Sequence, residues 1–317
     1  MDHISRCLLW TVGVVLAAGC AAPKPLTLTG TFGHARHFCA VGDLQRTSAL
    51  EFWRERNDRE RRLVVAALAR EQPAFLVSLG DLVFDGASDQ HWGRLDRLLT
   101  PIRRANIALW PVPGNHEYWG PNSRALRNYF ARFPHLRGRH HYVLRLGTLA
   151  LVMTDSNHKD LGKRRWGAQL AWYRQTLKQL DADPTVRGVL VLQHHPAYTN
   201  STVTQDEAHI KRMLVPPFVA AQKTLAMISG HVHSYERFFR GGKTFIISGG
   251  GGGPRVKLAQ GAKRRHRDDR YPGPALRQFN FLCFHPEAQG LRVVVHGLRK
   301  GGQRFAPLET FTLPLPR

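Results

Sequence analysis

The chain has 317 residues, of which 43% are hydrophobic and 22% charged, a globular composition that excludes bulk disorder and is long enough for a large core. Its 46 Lys and Arg against 23 Asp and Glu give a formal net charge of +23, which favours anionic partners: phosphate-rich substrates, lipid headgroups, lipopolysaccharide or nucleic acid. Apart from Lys163-Arg164-Arg165 and Lys263-Arg264-Arg265-His266-Arg267 the basic residues are dispersed, so anionic surfaces are favoured and specific nucleic-acid binding is not expected.

Met1 to Gly19 carries Arg6 and then an apolar run, Cys7 to Ala18, too short to span a bilayer as a stable helix, which is the pattern of a secretory leader. Its end, Leu16-Ala17-Ala18-Gly19-Cys20, resembles a bacterial lipoprotein box. The resemblance implies cleavage before Cys20, lipidation of that thiol and attachment to the cell envelope. Ala21 and Ala22 supply no acidic retention signal, which favours the outer membrane. Residues 20–33 read as a tether and 34–317 as one domain, with no internal repeat or linker beyond Gly33.

Arg36 to Gly42 is the first predicted strand, and Ser48 to Glu71 has helical spacing at Leu50, Trp53, Leu63, Val64 and Leu68. Phe75 to Leu79 is a second strand, Gln90 to Arg104 a helix, and Ile107 to Val112 a third strand. This βαβ series argues for parallel strands with functional side chains beyond their carboxyl ends. Ser123 to Phe133 is a short helix, Tyr142 to Leu146 and Leu149 to Thr154 a hairpin about Gly147, and Trp166 to Leu180 an amphipathic helix whose aromatics pack in the core. Asp155-Ser156-Asn157 reads as a structural turn. After the strand Val189 to Leu192, the polar stretch Ala197 to Lys211 reads as a lid, with His209 in solvent. Thr244 to Ser248 is a strand that enters five glycines, Gly249 to Gly253, a turn near the site and not a nucleotide loop. Lys257 to Pro274 reads as a mobile flap, and Phe279 to Phe284, Leu291 to His296 and Phe305 to Leu313 as antiparallel strands closing a second sheet. Cys39 and Cys283 lie in apolar strand-like runs, where free buried thiols are the commoner state and a disulfide the alternative.

Five strand-to-turn junctions carry the chemistry. They are Phe38 to Asp43, Leu76 to Asp81, Trp110 to Glu117, Val189 to Pro196 with His194 and His195, and Ile228-Ser229-Gly230-His231-Val232-His233-Ser234-Tyr235-Glu236-Arg237. A His-x-His pair alone is a weak signal; with two Asp junctions and an Asn-His-Glu junction before it, a metal site is the consistent explanation.

With these junctions in this order, the chain resembles the calcineurin-like metallophosphoesterases from about Arg36 to Gly253, and Gly230 to Arg237 is most similar to the purple acid phosphatase branch. The resemblance implies an α/β fold, a four-layer sandwich of two mixed sheets flanked by helices. It also implies two divalent metal ions (Mn, Fe or Zn) acting on a phosphorylated substrate, with phosphomonoesters favoured. By resemblance Asp81 bridges, Asp43 and His233 serve the first metal, Asn115, His194 and His231 serve the second, and His116 protonates the departing oxygen. His195 is at most a substrate contact. Gln45 stands where many relatives have histidine and is a weaker neutral oxygen ligand; Phe84 stands where purple acid phosphatases have tyrosine, so no purple ferric site forms. Three rival readings are a phosphodiesterase on the same site, a catalytically weak lipidated anion-binding envelope protein, and a nuclease.

Overall fold

In a computed structural model, which describes residues 26–27, 37–136, 138–271 and 273–316, thirteen strands form two mixed sheets. Residues 1–25, and with them the leader and Cys20, lie outside the described residues. Within the predicted tether, Leu26–Thr27 forms a short strand, β1. Strands β2 (Phe38–Val41), β3 (Phe75–Ser78) and β4 (Ala108–Pro111) run parallel and in register, Val41 beside Ser78 and Ser78 beside Pro111. Helix α1 (Asp58–Glu71) joins the first two, and α2 (Asp89–Leu98) with α3 (Thr100–Arg104) joins the next. The parallel register brings the chain out of all three strands at one edge, which is where Asp43, Asp81 and Asn115 stand.

Helix α4 (Asn122–Arg132) leads to the hairpin of β5 (Tyr142–Leu146) and β6 (Leu149–Met153). Helix α5 (His158–Ala182), strand β7 (Gly188–Leu192), helices α6 (Ala208–Met213) and α7 (Val215–Ala220), and strands β8 (Thr224–Ser229), β9 (Tyr235–Arg240) and β10 (Lys243–Ser248) follow. The second sheet has the order β1-β5-β6-β7-β8-β10-β9, with β6, β7, β8 and β10 parallel. Its side chains alternate as the pleat requires. Leu149, Leu151 and Met153 share a core with Phe38, Leu76 and Phe281 of the facing sheet, while Ala150 and Val152 pack with Leu170, Tyr173 and Leu177 of α5. Helices therefore cover the outer faces, and the predicted α/β four-layer arrangement is the observed one.

The last strands, β11 (Phe279–Pro286), β12 (Gly290–Leu298) and β13 (Ala306–Pro314), are antiparallel as expected, but they do not close a separate sheet. β11 pairs with β2, so the first sheet runs β13-β12-β11-β2-β3-β4. That pairing also corrects the cysteine expectation: Cys39 and Cys283 sit opposite one another in β2 and β11, with Cα atoms 4.1 Å apart, and form a disulfide. Two apolar strands 244 residues apart carry no local sign that they are neighbours.

Other boundaries move for local reasons. The predicted helix from Ser48 begins only at Asp58; before it, Thr47 Oγ1 donates to the Glu55 carbonyl and Arg54 pairs with Glu51, which closes residues 47–55 into a looped turn. Leu50 and Trp53, expected in a helical core, are 83% and 70% exposed. The stretch read as a mobile flap is pinned: His266 and Asn200 bond reciprocally through N–H and C=O groups, Arg240 pairs with Asp268, and buried Arg277 pairs with buried Asp269. Within it Arg265 and His266 both pair with Asp206, a partner that only the fold supplies. Asp155 is the turn it was read to be, accepting from Asn157 N–H and the Tyr118 hydroxyl.

Candidate dinuclear metal centre

The carboxyl ends of the two sheets meet at one cluster. Gly42 N–H donates to Ser248 O, Gly251 N–H to Gly42 O, and Gly230 N–H to His194 O, which stitches the strand ends together. Among the described residues, three of the five non-glycine residues with left-handed backbone are in the cluster: Asp43 (φ 62), Asp81 (φ 53) and His231 (φ 67). Such conformations cost about 1–3 kcal/mol each and persist where surrounding structure enforces them, commonly at functional sites. Small residues make room. A Cβ on Gly114 would lie 2.1 Å from Asp81 Oδ1, and one on Gly249 would lie 2.6 Å from Asp43 Oδ2.

Asp43, Asp81 and His233 converge on one side, with His233 Nε2 3.3 Å from Asp43 Oδ1. Gln45 joins them through Nε2, 3.1 Å from His233 Nε2 and 3.2 Å from Asp81 Oδ2, while its buried Oε1 has no hydrogen-bond partner. On the other side His194 Nε2 is 3.0 Å from Asn115 Oδ1, 3.1 Å from His231 Nδ1 and 3.4 Å from Asp81 Oδ2. His231 Nδ1 is likewise 3.0 Å from Asn115 Oδ1. Asp81 thus belongs to both groups, and every expected ligand is in one or the other.

Hydrogen bonds behind the rings fix which nitrogen faces inward. His194 Nδ1 donates to Leu79 O at 2.8 Å and His233 Nδ1 to Pro254 O at 2.8 Å, so both Nε2 atoms point into the cluster. There Asn115 Oδ1, His194 Nε2 and His231 Nδ1 meet within 3.1 Å of one another, a convergence that a shared proton or a cation satisfies. Asp43 and Asp81 are 0% and 2% exposed. The donor set of two carboxylates, imidazoles and amide oxygens therefore fits two borderline divalent cations.

Electrostatics respond to the same crowding. Burial opposes ionisation of Asp81, but His194 and His116 beside it hold its carboxyl far below the usual range. Burial pulls His194 down while Asp81 and Asp43 push it up, and the net is upward to about 9. His231 falls to about 3 through burial and the neighbouring His194.

His116 opens the short 3-10 turn His116–Tyr118, directly after Asn115. Its N–H donates to Asp81 Oδ1 at 3.0 Å, its Nδ1 to Phe84 O at 2.6 Å, and its Nε2 lies 3.8 Å from Asp81 Oδ2. Trp119 and Phe84 wall the ring, with centroids 3.8 and 5.2 Å away. His195 is buried beside His231, with Nδ1 2.8 Å from Ser156 Oγ. His209 is not in solvent as expected: it stacks on His158 at 3.8 Å and its Nε2 meets Ser156 O at 3.0 Å, because α6 folds the lid back onto the site. Sequence gave Glu117 no role, yet its buried carboxylate accepts from the N–H groups of Asp81, Leu82, Val83 and Gly114 and braces both ligand loops. Its place directly after Asn115-His116 was the available signal.

Two sheets whose carboxyl edges present a shared aspartate between two imidazole-bearing groups define a dinuclear phosphoesterase scaffold. The chain belongs to the calcineurin-like phosphoesterase family, whose model matches residues 36–235. Among curated proteins it is similar to purple acid phosphatase 18 of Arabidopsis thaliana, 27% identical over 229 residues, 66% of this chain and 49% of that protein. The chain spans about half the length of the curated relatives it matches, or less. Among solved structures it resembles purple acid phosphatase PPD1 of yellow lupin (Lupinus luteus), with TM-score 0.66, 15% identity, and coverage of 93% of this chain and 55% of that one. It also resembles GAP50, described as the anchor in the inner membrane complex of Plasmodium, with TM-score 0.63, 14% identity and 89% coverage of both chains.

Proposed function

We propose that residues 34–317 form one hydrolase domain that cleaves phosphomonoesters with two divalent cations, Mn, Fe or Zn. Asp43, Asp81 and His233 would hold the first, joined by the Gln45 carbonyl if its amide turns to exchange Nε2 for the unpartnered Oε1, and Asp81, Asn115, His194 and His231 the second. The observation that carries this is the shared, buried Asp81 between the two groups. When bound, the cations supply Lewis acidity for phosphoryl transfer at neutral pH. Phe84 offers no phenol, so the domain would be colourless where purple acid phosphatases are purple.

The chain's own residues supply the rest. Because His116 Nδ1 is committed to Phe84 O, only Nε2 faces the site, and a proton held there can pass to the leaving-group oxygen. Asn115 orients one phosphoryl oxygen, and Trp119 fixes the His116 ring. His195, locked by Ser156, would be a substrate contact at the second group.

The leader supports attachment to a bacterial cell envelope through a lipidated Cys20, in the outer membrane rather than the inner. Mass spectrometry of the membrane fraction would find a diacylglyceryl Cys20 at the new N-terminus; an intact Met1 to Gly19 would sink this part.

The test of activity is metal analysis of the purified domain with hydrolysis of p-nitrophenyl phosphate and bis(p-nitrophenyl) phosphate, before and after chelation. Two metals per chain and monoester cleavage lost on chelation and restored by Mn(II) are expected. Metal binding without cleavage of either ester would favour the non-catalytic envelope protein that Gln45 and Phe84 recommend.

A further inference from the structure

Phe84 borders more than His116. It also lines a cavity of about 280 Å³ between the 46–49 loop and the start of α2. Arg46, Arg61 and Arg94 face this cavity, Gln90 and His91 add polar groups, and no carboxylate lines it. A larger hollow of about 650 Å³ shares the same three arginines and adds Arg62 and Arg97, against the one carboxylate of Asp58.

That carboxylate is already used twice, by Arg46 Nε at 2.9 Å and Arg61 Nη1 at 3.0 Å. Among the described residues Arg62, Arg94 and Arg97 have no carboxylate partner. His91 Nδ1 is buried there without a hydrogen-bond partner. Like charges held together in a concavity repel one another and focus a positive potential into it. Burial brings Arg61 down to about 10 against the help of Asp58, with Arg46 and Arg62 adding a smaller push in the same direction as burial. Arg237 and Arg240 each have a carboxylate of their own, Glu309 and Asp268. Here five arginines line one hollow with Asp58 as its single carboxylate, beside the wall of the candidate active site. Guanidinium forks match phosphate oxygens in pairs, and the cavity is large enough for a phosphate with its first hydration shell.

We propose that this cavity is a second phosphate subsite, so that the domain prefers small esters carrying a second phosphate over esters carrying one. The proposal rests on the hydrolase reading and adds its substrate class. The scissile phosphate lies at the Asp81 cluster, and Arg46 and Arg94 hold the other.

Arg94 makes no ion pair and sits on the solvent side of α2, where Ala is a good helix former, so Arg94→Ala tests the idea with the fold intact. Kinetics on a hexose bisphosphate and the matching hexose monophosphate should show a wild-type preference for the bisphosphate. In Arg94→Ala that preference should fall about tenfold through KM, with monophosphate cleavage within about twofold of wild type. A preference unchanged in the variant, or an equal fall on both esters, overturns the proposal. If wild-type protein cleaves p-nitrophenyl phosphate but neither hexose ester, the proposed substrate class is overturned; if it cleaves none of the three, the hydrolase reading fails, and calorimetry with inorganic pyrophosphate on metal-stripped protein decides the subsite alone. Binding about tenfold weaker in Arg94→Ala keeps it; equal binding removes it.

Discussion

Reduction of the Cys39–Cys283 disulfide should destabilise the fold without replacing any residue. The bridge closes a loop of 244 residues, for which the chain-entropy relation gives about 5.5 kcal/mol at 25 °C as an upper figure, and native bridges commonly return about 2–5 kcal/mol. Both cysteines are fully buried in the strand pair that delivers Asp43, so the reduced thiols remain packed and the loss is confined to the cross-link. With about 2.1 cal/mol/K of unfolding entropy per residue, a chain of 317 residues converts a loss of about 2–5.5 kcal/mol into a Tm lower by about 3–8 °C. Calorimetry of protein lacking residues 1–20, with and without reductant and with reduction verified by mass, measures this. Two titratable thiols in denatured, unreduced protein would refute the bridge; a Tm indifferent to complete reduction would refute the entropy argument.

Replacing His116 by Ala should lower turnover on alkyl phosphates by about 10²–10⁴ and on p-nitrophenyl phosphate by far less, since that leaving group scarcely needs a proton; equal losses would remove the acid role. Gly114→Ala forces a Cβ to 2.1 Å from Asp81 Oδ1 and should cost at least one bound metal, whereas Gly167→Ala, with open space around it, should retain both by elemental analysis. Burial pushes Glu236 up to about 7, against hydrogen bonds from Thr199 and Asn200. A carboxyl whose folded pKa is raised keeps its proton longer when folded, so its contribution is fully present below about 4.5 and disappears as pH rises from there to about 7, a change of up to about 3 kcal/mol. Tm measured across that window should fall in wild type relative to Glu236→Gln; parallel curves would contradict the assignment.

The sequence alone marked the side chains that meet in the cluster. An Asp, Asn or His must follow a buried strand to be held rigidly at its end, and that pattern is local, so Asp43, Asp81, Asn115, His116, His194, His231 and His233 were legible from five short runs. The glycines between them were legible as close approaches, and the three closing strands as strands by their alternation. Local pattern says nothing about which distant segments become neighbours. Only the tertiary structure decided that β11 joins β2 and brings Cys283 against Cys39, that Glu117 ties two ligand loops through four N–H groups, and that His209 folds back onto Ser156. It alone decided that the 257–274 stretch is fastened by Arg240, Asp268 and Asn200, and that arginines from the 46 loop, α1 and α2 converge on one cavity with Asp58 as their single carboxylate. In each case the free energy lies in contacts between residues tens to hundreds of positions apart, and such contacts leave no periodicity in the chain.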